Sequence, residues 1–194
     1  LYTIDTSDPN HLPQLLTDPS YDVLSTPSIA GDAVFYSGNG VNPYEQHVYR
    51  LKISSGHLKQ VTSLSGRNVG YPSPDGRHLV FMHSNDTSPP ELYVVSNNGG
   101  NAAQITHSPL PAFTERTWEN AEYVSFPSRG DQYTLHARIL KPTPMTPGTK
   151  HPVLFGPVYY NTARNRWAGN YSLVQNLLVK KGYIIVQVGS RGSN

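Results

Sequence analysis

Apolar residues in this chain come in short runs closed at both ends by Gly, Pro, Asn or Asp. Ala33-Val34-Phe35-Tyr36-Ser37 follows the Gly31-Asp32 turn, and a partner run covers residues 47–53 beyond the loop from Gly38-Asn39-Gly40 to Pro43. His78-Leu79-Val80-Phe81-Met82 follows Ser73-Pro74-Asp75-Gly76-Arg77, whose Asp-Gly tip marks a tight turn. Residues 91–96 come next, and Asn97-Asn98-Gly99-Gly100 turns the chain back toward residues 103–106. Runs of this length between turn residues predict strands joined as antiparallel hairpins.

One phrase recurs three times. Leu1-Tyr2-Thr3-Ile4-Asp5 leads to Leu15-Leu16-Thr17, Val48-Tyr49-Arg50-Leu51-Lys52 to Gln60-Val61-Thr62, and Leu92-Tyr93-Val94-Val95-Ser96 to Gln104-Ile105-Thr106. The period of about 45 residues is that of a four-stranded propeller blade. A blade cannot bury both faces of its sheet alone, so repeats ending near 17, 62 and 106 predict the last blades of a larger β-propeller over residues 1–112.

Beyond Pro111 the pattern changes. Residues 119–128 and 132–141 predict two strands around Arg129-Gly130-Asp131, with Val124, Phe126, Leu135, Ala137 and Ile139 on buried faces. The prolines and glycine between Pro142 and Gly148 form a loop. Pro152-Val153-Leu154-Phe155 is a short apolar strand, and Tyr183-Ile184-Ile185-Val186-Gln187-Val188 fits an interior parallel strand. Between them a helix is expected, with Ser172 and Gln175 as a capping box, an apolar face of Leu173, Val174, Leu177 and Leu178, and Gly182 as its C-terminal stop. Strand, helix, strand is a βαβ unit, so the fold class is mainly β with an α/β segment over residues 113–194.

Composition narrows the function classes. Seventeen Pro, sixteen Gly and thirteen Tyr suit a turn-rich β protein, and the formal net charge of +2 leaves no basic stripe for nucleic acid. The absence of cysteine excludes disulfides and thiolate chemistry within these residues, and no apolar run is long enough for a membrane span. His47, His57, His78, His83, His107, His136 and His151 fall in no metal-binding spacing and read as strand-edge and turn residues, so neither a metal nor a cofactor is expected.

Two of these motifs resemble a known family. Ser73-Pro74-Asp75-Gly76-Arg77 followed by an apolar strand and Glu91-Leu92-Tyr93-Val94-Val95 resembles the TolB-type propeller repeat. Val34-Phe35-Tyr36-Ser37-Gly38 with residues 42–50 resembles a late blade of the dipeptidyl peptidase IV branch of the prolyl oligopeptidase family. In that family a propeller is followed by an α/β-hydrolase domain. Glu122-Tyr123-Val124-Ser125-Phe126 resembles the entry to that domain, and residues 150–193 resemble its first strands.

The resemblance implies a serine peptidase acting on peptides, releasing N-terminal X-Pro or X-Ala dipeptides through an acyl-enzyme. Its alternatives are an acylaminoacyl peptidase or oligopeptidase of the same family and a catalytically inactive binding protein. The resemblance also admits a homodimer and an extracytoplasmic location for the parent protein. Such a hydrolase needs a Gly-x-Ser-x-Gly elbow, which these 194 residues lack, so the Ser, Asp and His of the triad and further blades are expected outside them and the chain alone is expected to be inactive. The family's oxyanion-donating tyrosine lies in the loop after the first hydrolase strand and maps to Tyr159, with Tyr160 as competitor because the family's Tyr-Gly-Gly-Pro pattern is altered here. Gly189 stands where the family commonly has Asp; Ser190 and Arg191 read as loop residues, and Glu45 and Glu91 as exposed blade positions. No substrate-binding residue is assigned.

Overall fold

The computed structural model describes residues 1–7, 10, 12–18, 22–40, 42–130, 133–156 and 163–189, which divide into two compact units. The first comprises Leu1–Leu64, Asn68–His83 and Leu92–Thr106. The second comprises Ser65–Arg67, Ser84–Glu91 and the chain from His107 onward.

In the first unit the repeats become antiparallel sheets. Strands β1 (Tyr2–Thr3) and β2 (Gln14–Leu15) form a two-stranded ladder. Strands β3 (Ser28–Ala30), β4 (Ala33–Gly38), β5 (His47–Lys52) and β6 (Leu58–Gln60) make one four-stranded blade. Strands β7 (Arg67–Pro72), β8 (His78–Ser84), β9 (Glu91–Ser96) and β10 (Ala103–Gln104) make the next. Every residue of β4 is buried because the strand alternates between two cores. Ala33 and Phe35 pack with Val48, Val61, Leu79, Phe81 and Val95, while Val34 and Tyr36 pack with Tyr49, Leu51, Leu1 and Leu16. Full burial of a side chain such as Phe35 or Leu51 stabilises by about 1.5–3 kcal/mol, so most of the blade's stability lies on these two faces. On β8, by contrast, Leu79 and Phe81 are buried while Val80 and Met82 are exposed.

The recurring phrase is a hydrogen-bonded clasp. In each repeat the threonine Oγ1 accepts from the main-chain nitrogen of the residue before the tyrosine: Thr62 from the Val48 N–H at 2.9 Å, Thr106 from the Leu92 N–H at 2.9 Å and Thr17 from the terminal ammonium of Leu1 at 2.5 Å. The residue before each threonine donates its own N–H to the same partner's carbonyl, Leu16 to Leu1, Val61 to Val48 and Ile105 to Leu92. Gln60 and Gln104 complete the pattern by donating their side-chain amides to the carbonyls of Thr62 and Thr106. Thr62→Val keeps the shape but leaves the buried Val48 N–H without its acceptor, so a loss of about 1–3 kcal/mol is expected in chemical denaturation followed by circular dichroism. Thr106→Val should cost less, because water can reach the exposed Leu92 pair; equal losses would show that the clasp hydroxyl is not what sets the cost.

Expectations for four polar residues of the blades are corrected. His47 and His83 are buried in a network rather than lying at strand edges. His47 Nε2 lies 3.0 Å from Glu45 Oε2, and Asn68 bridges the rings, its Nδ2 3.3 Å from His47 Nδ1 and its Oδ1 3.0 Å from His83 Nδ1. Burial holds the His83 imidazole below its ordinary pKa; His47 adds to this and Glu45 opposes it. Glu45 is thus a partner inside the network, and Glu91, expected to be exposed, is buried because its carboxylate accepts the Ser108 N–H at 2.7 Å and the Ser108 hydroxyl at 3.3 Å.

The second unit opens with a helical turn, α1 (Pro111–Thr114). Strands β11 (Glu122–Pro127) and β12 (Thr134–Leu140) then lead through β13 (Val153–Phe155) and helix α2 (Asn170–Lys180) to β14 (Ile184–Val188). The sheet order is β11-β12-β14-β13, and the β13–β14 pair is parallel, as the βαβ pattern requires. Phe113, Trp118 and Trp167 pack together, with Phe113 and Trp118 stacked at 4.4 Å and Trp167 edge-on to both.

Helix α2 departs from its sequence pattern. It starts at Asn170 after Gly169, which makes no side-chain cap bond, so Ser172 falls inside the first turn and its Oγ accepts the Ala168 N–H at 2.9 Å. The buried residues are Ser172, Gln175, Asn176 and Val179, whereas Leu173, Val174 and Leu177, expected to face the core, are exposed. The polar stripe turns inward because it has partners there: Asn176 Oδ1 accepts the Glu119 N–H, and Gln175 Oε1 accepts from Arg138. At the other end Gly182, with φ +89°, supplies the left-handed residue that stops the helix, as expected.

Candidate functional site

In an open sheet, loops leaving the carboxyl ends of parallel strands are where ligand sites are built. Val153 pairs with Ile184, Leu154 with Ile185 and Phe155 with Val186, and the Gly156 N–H continues the ladder to the Val186 carbonyl at 2.7 Å. The chain therefore leaves β13 at Gly156 and β14 at Gly189 from the same end of the pair. Gly156 is required by close approach: a Cβ there would lie 2.9 Å from Gln187 Cγ. Gly189, at the position of the expected family Asp, donates its N–H to the His136 carbonyl at 2.8 Å and so ends β14 against β12. Tyr159 and Tyr160 follow Gly156 in sequence, and Ser190 and Arg191 follow Gly189; all four lie outside the described residues.

Behind this end of the sheet runs a row of polar side chains. Tyr123 on β11 is directly opposite Arg138 on β12, and Arg138 is opposite Gln187 on β14. Asp86 enters from the segment Ser84–Glu91 and is 4% exposed, as is Arg138. Its Oδ1 accepts Arg138 Nε at 2.9 Å and lies 2.8 Å from Nη2, while its Oδ2 accepts the Tyr123 hydroxyl at 2.7 Å. Arg138 Nη1 donates to Gln187 Oε1 at 2.7 Å and to Gln175 Oε1 at 3.1 Å. Burial, reinforced by the Asp86 carboxylate, pushes the Tyr123 phenol well above its ordinary pKa. Tyr123 therefore stays a neutral donor, and Asp86, with both oxygens engaged, is a structural anion rather than a general base. What the row does is fix Gln187, and with it the strand end that lies against Gly156.

This row was not anticipated. The strand pattern placed the buried face on Val124, Phe126, Leu135, Ala137 and Ile139, and register does align Val124 with Ala137 and Phe126 with Leu135. Yet Phe126 is exposed, while Arg138 and Leu140 on the alternate face are among the most buried residues. The available signal was a polar residue inside each of two largely apolar strands, Arg138, two residues after His136, and Gln187. Among the described residues no three His, Cys, Asp or Glu side chains are grouped to hold a metal, and no helix is long and apolar enough to cross a membrane.

Residues 1–90 match the family model described as the dipeptidyl peptidase IV (DPP IV) N-terminal region. Dipeptidyl peptidase 8 of Homo sapiens is 28% identical over 178 residues, which cover 82% of this chain and 19% of that protein. Probable dipeptidyl-aminopeptidase B of Aspergillus niger is 24% identical over 204 residues, covering 95% of this chain and 21% of that protein. The crystal structure of Porphyromonas gingivalis dipeptidyl peptidase 4 superposes with a TM-score of 0.79 at 20% identity, covering 100% of this chain and 28% of that one. In sequence and in fold the chain is thus similar to the dipeptidyl peptidase IV-like branch of the prolyl oligopeptidase family. Its repeats are therefore blades of a dipeptidyl peptidase IV-type propeller, as the threefold phrase predicts. The chain spans about a fifth of the length of the curated family members it matches.

Proposed function

We propose that the chain is the junction of a serine peptidase, with residues 1–112 closing its β-propeller and residues 113–194 opening its α/β-hydrolase domain. The carrying observation is the parallel β13–α2–β14 unit that follows a four-stranded blade, with the tyrosine-bearing segment departing at Gly156 from the carboxyl end of its first strand. The enzyme releases N-terminal X-Pro or X-Ala dipeptides. Its serine attacks the peptide carbonyl, the Tyr159 hydroxyl donates to the oxyanion, and the amine leaves with formation of the acyl-enzyme. The serine, its base and its acid lie outside these residues, where no Gly-x-Ser-x-Gly occurs.

The full-length protein is expected to release p-nitroaniline from Gly-Pro-p-nitroanilide and to leave the N-acetylated analogue untouched, while the 194 residues alone turn over neither. Cleavage of only the acetylated compound would transfer the protein to an acylaminoacyl peptidase. Gly189, in place of the family's carboxylate, favours a second reading, a binding protein without chemistry. Failure to cleave either compound, together with no labelling by a fluorophosphonate, would establish that reading.

A further inference from the structure

The hairpin between β9 and β10 turns on Ser96-Asn97-Asn98-Gly99, where the Gly99 N–H donates to the Ser96 carbonyl at 2.8 Å. Gly99 is needed there for two reasons. Its φ of +79° is in the left-handed region that glycine enters at no steric cost, and a Cβ would lie 3.3 Å from the Val61 carbonyl oxygen. The turn therefore sets a glycine directly after an asparagine, a pair that occurs in the chain only here and at Asn39-Gly40.

An asparagine followed by glycine can lose ammonia without an enzyme. The glycine main-chain nitrogen, with no Cβ beside it to hinder approach, attacks the asparagine Cγ. The N–Cγ bond forms, the Cγ–Nδ2 bond breaks, and the glycine amide proton departs with the ammonia. Water then opens the cyclic imide at either carbonyl. Attack at the side-chain carbonyl gives aspartate; attack at the main-chain carbonyl gives isoaspartate, in which the backbone runs through Cβ and Cγ. Two freedoms are required: the carboxamide must swing over the following nitrogen, and that nitrogen must leave its hydrogen bond.

The fold distributes these freedoms unequally. Asn39 is half-buried and held at both ends of its carboxamide, since Oδ1 accepts the Asp22 N–H at 3.0 Å and Nδ2 donates to Asp22 Oδ2 at 2.8 Å. Gly40 packs against the Tyr49 hydroxyl. Asn97 is held as well: its Nδ2 donates to the Gly76 carbonyl and its N–H to the Arg77 carbonyl at 3.0 Å. Asn98 is exposed, and among the described residues its carboxamide is bonded to nothing. Its nucleophile, the Gly99 nitrogen, is restrained by one turn bond at a hairpin tip, the kind that opens most readily.

We propose that Asn98 is a site of spontaneous deamidation, at which the β9–β10 hairpin is converted with age to isoaspartate and aspartate. The isoaspartyl form lengthens the main chain by a methylene group and adds a negative charge. The Gly99 N–H then no longer meets the Ser96 carbonyl, and the ladder that pairs Ala103 with Val94 and Gln104 with Tyr93 loses its closing turn.

The test follows each asparagine in the full-length protein, incubated at mildly alkaline pH either native or in urea. After digestion, chromatography with mass spectrometry separates the Asn, Asp and isoAsp forms. In the native protein Asn98 is expected to convert about tenfold faster than Asn39, because a hydrogen bond to a charged partner holds Asn39 in place. In urea the two rates should converge. Asn98→Gln, which would have to close a larger ring, should leave the hairpin unmodified, with Asn97 still an amide. Equal rates at Asn39 and Asn98 in the native protein, a ratio unchanged by urea, or continued conversion of the Asn98→Gln hairpin would each overturn the proposal.

Discussion

Asp86→Ala is expected to destabilise the second unit by roughly 3–5 kcal/mol, the usual cost of leaving a buried charge without its partner. Asp86 and Arg138 are each 4% exposed, so water cannot replace the missing carboxylate. Tyr123 loses the acceptor of its hydroxyl at the same time. The two tryptophans of the chain, Trp118 and Trp167, both belong to this unit, so guanidinium denaturation followed by tryptophan fluorescence reports on it selectively. The companion measurement is Asp86→Ala combined with Arg138→Met. Removing both charges removes the desolvation penalty along with the attraction, and the double variant should recover to within about 1–2 kcal/mol of the parent. If single and double variants are equally unstable, the effect comes from packing, not from the stranded arginine.

On the proposed peptidase reading, Tyr159→Phe carries the largest expected effect on activity. The substitution keeps the ring and removes only the hydroxyl, so folding and KM should be preserved. Removal of one oxyanion donor typically costs about 2.7–4 kcal/mol, so the acylation rate of the full-length enzyme should fall roughly a hundredfold to a thousandfold. Tyr160→Phe is the matched comparison and should be nearly neutral. If the loss follows Tyr160 instead, the altered loop has shifted the donor by one residue; if it follows neither, the oxyanion is held by other groups.

The strands and the repeat were legible because their signals are local. Apolar runs ended by Asp75-Gly76 or Asn97-Asn98-Gly99-Gly100 specify a hairpin within a dozen residues, and the threonine phrase specifies a blade edge within a few more. Polar partnerships formed over long separations were not legible. Asp86 and Arg138 are 52 residues apart, and Asn68 joins two histidines on different strands, so no window of sequence contains either set. Helix α2 shows the same limit. Its periodicity identified two faces, but the turn of the helix was decided by acceptors for the Arg138 guanidinium and the Glu119 N–H, which favour burial of Gln175 and Asn176 over the leucine stripe. The catalytic candidates came from family resemblance alone, and the described residues supply the strand ends from which they depart.

The clasp has a further consequence for how such a repeat can change. It joins residues 14 apart in two repeats and 16 apart in the first, with the same pattern of donors and acceptors. Closure therefore does not depend on the length of the hairpin between them. Residues in that hairpin can be inserted, deleted or exchanged while one hydroxyl and two main-chain groups still end the blade at the same place. The tips of these hairpins are thus the natural grafting points of the propeller, where new binding loops can be installed without redesigning the sheet beneath.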